Sequence, residues 1–275
     1  MIAHDYDRLL NPADGVKPLD FGAEGTTGSL DPNGRVVALN TYHPQHGYVT
    51  LTTADPFDET RHYTQTAVRA YRAELAALRG FGPHFGQPVL QRQAILLDGV
   101  LPQVRLTLGG GETVEVTTWA QDGGAVQIWE HPGLAPHWRG RLSLQRCAYT
   151  QLTEGGPIPM PPLKTRVSLA NGVLTIENPA LEWAAAIAGF APDDAWEMAA
   201  DGPLALDVPG LSDTTVLTWG VGPDGASARA AALRLASEDP YRLLEQTRAV
   251  WHARRSDGVG DDLAWRGLAY GWMMG

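Results

Sequence analysis

The chain is expected to be mainly β: a large antiparallel β-supersandwich with one inserted helix and a helical extension at its C-terminus. Two observations set the β expectation. Short runs of alternating apolar and polar residues recur at turn-punctuated spacing, as in Thr113-Val-Glu-Val-Thr-Thr-Trp119, and no regular helices separate them. Asn171-Gly172 between two such runs supplies the φ > 0 pair that a two-residue hairpin turn requires. A third observation sets the extension: near Ser227 the period changes from two to between three and four residues. Strands at this spacing favour antiparallel sheets packed as a sandwich over a parallel α/β fold.

The elements follow in order. The first thirty residues are rich in Gly, Asp and Thr and lead into Asp31-Pro-Asn-Gly34. In that turn Pro presets φ and Asn-Gly accepts positive φ, so Thr26–Leu30 and Arg35–Asn40 are expected to form a hairpin. Tyr48–Thr53 follows as a strand after the His43-Pro-Gln-His-Gly47 loop. Over 64–79 the pattern breaks: Val68, Tyr71, Leu75 and Leu78 recur every three or four residues and Gly80 offers a stop, which predicts the inserted helix. From Val89 to Asn178 the chain reads as strands again, with Val104–Leu108 and Thr113–Trp119 joined across Gly109-Gly-Gly111. Ala125–Glu130 and Arg141–Thr150 come next, then the hairpin of Arg166–Ala170 and Val173–Glu177. Asp213–Val221 is the last strand expected. Ala226–Ala236 is alanine-rich and helical, and Asp239-Pro240 opens a second helix with Asp as N-cap and Pro at N1. Leu243, Leu244, Val250 and Trp251 repeat there as pairs seven apart. Past the loop at 256–260, Trp265, Leu268 and Trp272 take the spacing of a buried helical stripe.

Two units are expected: a β domain over 1–225 and a helical linker over 226–275. The Gly155–Pro162 stretch is read as a crossing between sheets within the β domain, because strands of similar length resume directly after it. The stripe at 265–272 needs a partner. It either folds back onto the β part or docks on a further domain or a second copy of the chain, which makes a front module of something larger the expectation.

Charge and cysteine content narrow the functional classes. With 21 basic against 31 acidic residues the net charge is -10, and Lys occurs only at Lys17 and Lys164. Nucleic acid and anionic membranes call for clustered cations, so neither is an expected partner, and a neutral ligand fits better. Cys147 is the one cysteine, so no internal disulfide and no multi-thiolate metal site is expected. The start lacks the basic and apolar regions of a signal peptide and no run approaches the ~18 apolar residues of a membrane span, which sets a cytoplasmic location as the expectation.

The order of elements resembles a known family. A long antiparallel β-module followed by Asp239-Pro-Tyr-(x)9-Trp251 and Asp261-Asp-Leu-Ala-Trp-Arg-Gly-Leu268 is similar to the N-terminal part of six-hairpin, glucoamylase-like glycosidases. Gly25–Thr53 carries a looser likeness. In that family a galactose-mutarotase-like β-supersandwich precedes a linker and an (α/α)6 barrel whose loops hold the catalytic acid and base. The resemblance implies a non-catalytic N-terminal module that shapes or supports the saccharide site, with no catalytic residue and no cofactor carried over. A free-standing carbohydrate-binding or aldose-epimerase-like protein is the alternative, and a structural β-domain oligomerising through its C-terminal aromatics is a third.

Candidate site residues follow from saccharide chemistry. Sugars are held by aromatic faces against C–H groups and by carboxylates, amides and imidazoles at hydroxyls. Trp129, Trp138 and Trp183, with Trp119 and Trp196, supply aromatics within the β part, and Glu130-His131 and Glu182 stand beside two of them. The competing account is that large aromatics fill a sandwich core. Ring opening of an aldose needs one proton removed and another supplied, so His43, His46, His131 or His137 with Glu130 or Glu182 are the acid–base candidates. His43 and His46 double as ligand-binding candidates. As a metal pair they lack a helix to place both imidazoles on one side, so no metal is expected. Asp257, Asp261 and Asp262 suit a helix N-terminus better than a catalytic cluster, Gly109–Gly111 lacks the Lys-Ser/Thr of a phosphate loop, and Cys147 has no activating neighbour in sequence.

Overall fold

A computed structural model describes residues 8–10, 19–52, 74–75, 78–142, 146–148, 158–160, 166–179, 182–190, 196–198, 202–206 and 213–253. The first half contributes β1 (Arg8–Leu10), β2 (Leu19–Ala23), β3 (Thr26–Leu30), β4 (Val36–His43), β5 (Gly47–Thr52), β6 (Glu74–Leu75), β7 (Leu78–His84), β8 (Val89–Leu97), β9 (Leu101–Leu108), β10 (Thr113–Gln121) and β11 (Gly124–Glu130). The second half contributes β12 (His137–Leu142), β13 (Arg146–Ala148), β14 (Ile158–Met160), β15 (Arg166–Ala170), β16 (Val173–Asn178), β17 (Trp183–Ala188), β18 (Trp196–Met198), β19 (Gly202–Leu206) and β20 (Thr214–Gly222). Two helices follow, α1 (Gly225–Ala236) and α2 (Pro240–Ala253).

The expected mainly-β architecture is present. Among the described residues a ten-stranded antiparallel sheet runs β1-β8-β9-β10-β11-β20-β17-β16-β15-β18, and a four-stranded sheet runs β2-β3-β4-β5. Two small sheets, β19-β12-β7 and β14-β13-β6, complete the set. The four-stranded sheet lies across the centre of the large one, with β2 and β3 over β10, β4 over β11 and β20, and β5 over β20 and β17. Alternation explains the packing. In β10 and β11, Val114, Val116, Ala120, Ala125 and Trp129 point into this inter-sheet core, while Trp119, Val126 and Ile128 point to the opposite face, which the helices cover.

The Asp31–Gly34 turn forms as its residues require. The Asp31 carboxylate accepts from the N–H groups of Asn33 (2.8 Å) and Arg35 (2.9 Å), and Gly34 takes φ 76°. Gly34 also lies so close to the large sheet that a Cβ would stand 2.1 Å from Val116 Cγ1. Its carbonyl accepts from the buried Gln127 side chain at 2.9 Å, and Gln127 in turn accepts from the Trp219 indole at 3.1 Å. A polar group of the large sheet, buried between the two sheets, is thus satisfied by the turn that joins β3 to β4 in the sheet opposite. Asn171 and Gly172 adopt φ 52° and 72°, the hairpin geometry expected of them.

Three expectations change. The helix expected over 64–79 does not extend to its C-terminal end: Glu74–Leu75 and Leu78–Arg79 are strand, because Leu75 pairs with Arg146 and Leu78 with Leu142, while residues 64–73 lie outside the described residues. The strand expected over 141–150 divides between β12 and β13, which belong to different sheets. The Pro-rich crossing at 155–162 contains β14, paired with β13. The stripe at Trp265, Leu268 and Trp272 lies outside the described residues.

Both helices lie on the large sheet. α1 begins with a reciprocal cap in which Asp224 accepts from the Ser227 N–H at 2.7 Å and the Ser227 hydroxyl reaches back to the Asp224 N–H. The helix seats Ala228 and Ala232 on Ala184, Ala186 and Ala188 of β17. α2 is capped as expected, with Asp239 accepting from the N–H groups of Tyr241 (2.9 Å) and Arg242 (3.3 Å). It buries Leu243, Thr247 and Trp251. Arg248 Nε donates to the buried Asp98 carboxylate at 2.5 Å, and that pairing holds the guanidinium more firmly protonated than usual.

Candidate functional site

One end of the sandwich collects the exposed chemistry. The β4–β5 hairpin turns over His43–Gly47, with the His46 N–H donating to the His43 carbonyl (3.2 Å), the Gln45 N–H to His43 Nδ1 (3.3 Å), and Gly47 at φ 70°. Alternation along β4 and β5 sends Val49 and Leu51 inward and places Tyr42 and Tyr48 directly opposite one another on the outer face. They are 53% and 54% exposed, among the most exposed large aromatics described, and their rings meet edge to face with centroids 5.5 Å apart at 68°.

The turn carries two imidazoles beside that pair. The His43 and His46 rings lie 4.8 Å apart. His46 Nδ1 is 3.1 Å from Glu182 Oε2, a contact between residues 136 apart in the chain. Glu182 leads into β17 with φ 48°, a left-handed conformation uncommon for a residue other than glycine. Asp224, the α1 cap, is close enough for His46 to act on it. The Ser227 N–H and hydroxyl hold its carboxyl below the usual value, and His46 adds a smaller push in the same direction. The end therefore presents two tyrosines, two histidines and two carboxylates.

The other candidates lie elsewhere. Glu130 and His131 close the far end of β11, where Glu130 stands opposite Thr214. Asp224 follows the opposite end of β20, so the two groups are separated by the length of that strand, about 27 Å. His131 is 2% exposed, with Nε2 2.9 Å from the Thr215 hydroxyl and Nδ1 3.1 Å from the Leu134 carbonyl, so its ring braces a turn. Glu130 bonds the Tyr241 hydroxyl, and burial together with that carboxylate pushes the phenol above its usual value. Trp129 and Trp138 are each 1% exposed and pack edge to face at 5.5 Å in the inter-sheet core, and Trp183 is also buried. No ring face of the three is open to a ligand. His137 is exposed on β12 opposite His84, Trp119 is buried beneath the helices, and Trp196 and Cys147 sit in β18 and β13.

The structure thus unites His43, His46 and Glu182 and separates them from Glu130 and His131. Tyr42 and Tyr48 were not among the expected site residues. Their signal is present in the sequence: each immediately flanks the turn, at the polar-face position of an alternating strand. Among the described residues no group of three or more His, Cys, Asp or Glu side chains is placed to hold a metal ion, and no helix is long and apolar enough to cross a membrane.

The class these features define is a mainly-β protein of the antiparallel sandwich type, with helices closing the outer face of its larger sheet. Neither a family model nor a curated protein matches the chain.

Proposed function

We propose that this chain is a non-catalytic β-sandwich module of a carbohydrate-active enzyme, of glycoside hydrolase type, and that it engages saccharide through the β4–β5 hairpin end. The observation that carries the reading is the exposed Tyr42–Tyr48 pair beside His43, His46 and Glu182. Solvated aromatic rings offer faces to sugar C–H groups, and an imidazole–carboxylate pair beside them takes hydroxyl hydrogen bonds. The net charge of -10 favours a neutral ligand over an anionic one. Further support comes from architecture, since a sandwich followed by Asp-capped helices is the order that the resemblance to six-hairpin glycosidases implies.

Titration calorimetry with maltose and with cellobiose tests it. Binding that weakens about tenfold or more in Tyr42→Ala and Tyr48→Ala is expected, the loss of a stacked ring. Absence of binding to either sugar, or binding indifferent to both tyrosines, would remove the reading.

A second reading, aldose epimerisation, is favoured by the His46–Glu182 contact. At 3.1 Å the two groups are in direct contact, so an anomeric centre could enter only if they parted. Polarimetry of freshly dissolved glucose decides it: mutarotation faster than the buffer rate and abolished by His46→Ala supports catalysis, and an unchanged rate excludes it.

A further inference from the structure

We infer that the saccharide site continues from the tyrosine pair as a diagonal polar strip across the outer face of the four-stranded sheet, and that its ligand is a neutral oligosaccharide rather than a single sugar. The inference rests on the carbohydrate reading above and deepens it.

Register places the strip. Tyr48 stands opposite Tyr42; two residues along β4, Asn40 stands opposite Thr27, and Thr27 opposite Gly22. Two residues further, Ala38 stands opposite Ser29, and Ser29 opposite Asp20. Side chains at these alternate positions share the face turned away from the core, since their neighbours Phe21, Gly28, Leu39 and Thr41 are buried. From Tyr48 on β5 to Asp20 on β2 the strip crosses three strand spacings and four residues of rise, about 20 Å in all. That is far longer than one pyranose ring.

The chemistry of the strip is that of a polyol site. Its groups are two phenols, an amide, two hydroxyls and one carboxylate, with no cation, so it does not attract phosphate, sulfate or an acidic peptide. Asn40 Nδ2 reaches Thr27 Oγ1 only at 3.5 Å, which leaves most of the capacity of this amide and hydroxyl for a ligand. Ser29 donates to Asp20 at 2.6 Å, orienting a carboxylate whose remaining lone pairs accept from hydroxyls. Gly22 keeps the row low beside Thr27, so a chain can lie against the sheet. The edge-to-face tyrosines close the strip at one end as a corner instead of extending it as a flat platform.

The test compares ligand lengths. Maltose, maltotriose and maltohexaose, with the matching cello-oligosaccharides as a second arm, are titrated against the wild type, Tyr42→Ala and the double variant Asn40→Ala/Thr27→Val. All three positions are surface positions, and circular dichroism confirms that the variants fold. Affinity rising about tenfold from disaccharide to hexasaccharide is expected in one arm. The double variant should abolish that gain without changing disaccharide binding, and Tyr42→Ala should weaken every length. Tyrosine-dependent disaccharide binding with no length gain, or a gain the double variant retains, overturns the strip and leaves the hairpin site standing. Binding of nothing in either arm overturns both.

Discussion

Two alanine-rich segments lie face to face in this protein and adopt different structures. Trp183-Ala-Ala-Ala-Ile-Ala188 is the strand β17, and Gly225–Ala236, with alanines at 226, 228, 230, 231, 232 and 236, is the helix α1. Alanine favours a helix and is depleted from strands, so composition points both segments the same way. What separates them is termini and surroundings. α1 has twelve residues and a reciprocal Asp224–Ser227 cap, enough to hold its first turn. β17 has six residues, is entered through Glu182 at φ 48° and left through Gly189 at φ 122°, and pairs on both sides, with β16 and β20. All six of its side chains are buried. Trp183, Ala185 and Ile187 complete the inter-sheet core, while Ala184, Ala186 and Ala188 make the flat bed on which α1 rests. The lesson is that alanine in β17 serves the approach of the helix above it, a need that local preference does not register.

Gly220 of β20 lies under α1, where a Cβ would stand 2.1 Å from the Ala228 carbonyl oxygen and 2.7 Å from the Ala232 nitrogen, both backbone atoms that cannot swing away. Gly220→Val is therefore expected to lower stability by about 3 kcal/mol or more, or to lift α1 off the sheet. Urea denaturation measures the loss, and hydrogen exchange of the α1 amides reports the lifting. A variant as stable as wild type would mean that the helix does not dock this closely.

A smaller loss is expected on the strand side. Ala186→Leu puts three extra carbons between β17 and α1 and should cost about 2 kcal/mol, whereas Ala230→Leu on the exposed side of the helix should be nearly neutral. Equal effects of the two substitutions would erase the distinction between bed and surface.

The smallest effect sharpens the role of the cap. Asp224→Ala removes the acceptor for the Ser227 N–H and should cost about 1 kcal/mol. Because the Asp224 carboxyl is held below its usual 3.8, its contribution is full above that pH and is lost as pH falls through the lowered native value. The stability difference between wild type and Asp224→Ala, followed by thermal melts from pH 7 to pH 2.5, should thus shrink on the acid side. A difference that stays constant with pH would show that the carboxylate charge is not what caps the helix.

Much of the sandwich was legible because its signals are local. Asp31-Pro-Asn-Gly34, Gly109–Gly111 and Asn171-Gly172 each mark a hairpin through backbone chemistry that only a few residues satisfy, and Asp239-Pro240 marks a helix start for the same reason. β7 and β17 were not legible. Leu75 and Leu78 take helical spacing in the sequence, and their strand conformation comes from partners near Leu142 and Arg146, some seventy residues away. The candidate site divides along the same line. His43 and His46 were readable as a polar turn, but nothing near them announces Glu182, and the tryptophans that looked like a platform went to the core because that is where large apolar area is best buried.

Local patterns along the chain specify the class of the fold, the positions of its tight hairpins, the alanine-rich run of α1 and the Asp-Pro start of α2. Each depends on φ preferences and hydrogen bonds spanning a few residues. Tertiary structure decided that an alanine-rich hexapeptide is a central strand, that Gly220 must stay bare, and that Tyr42, Tyr48, His46 and Glu182 share one surface. Those outcomes depend on which distant surfaces meet, and no local preference of the chain carries that information.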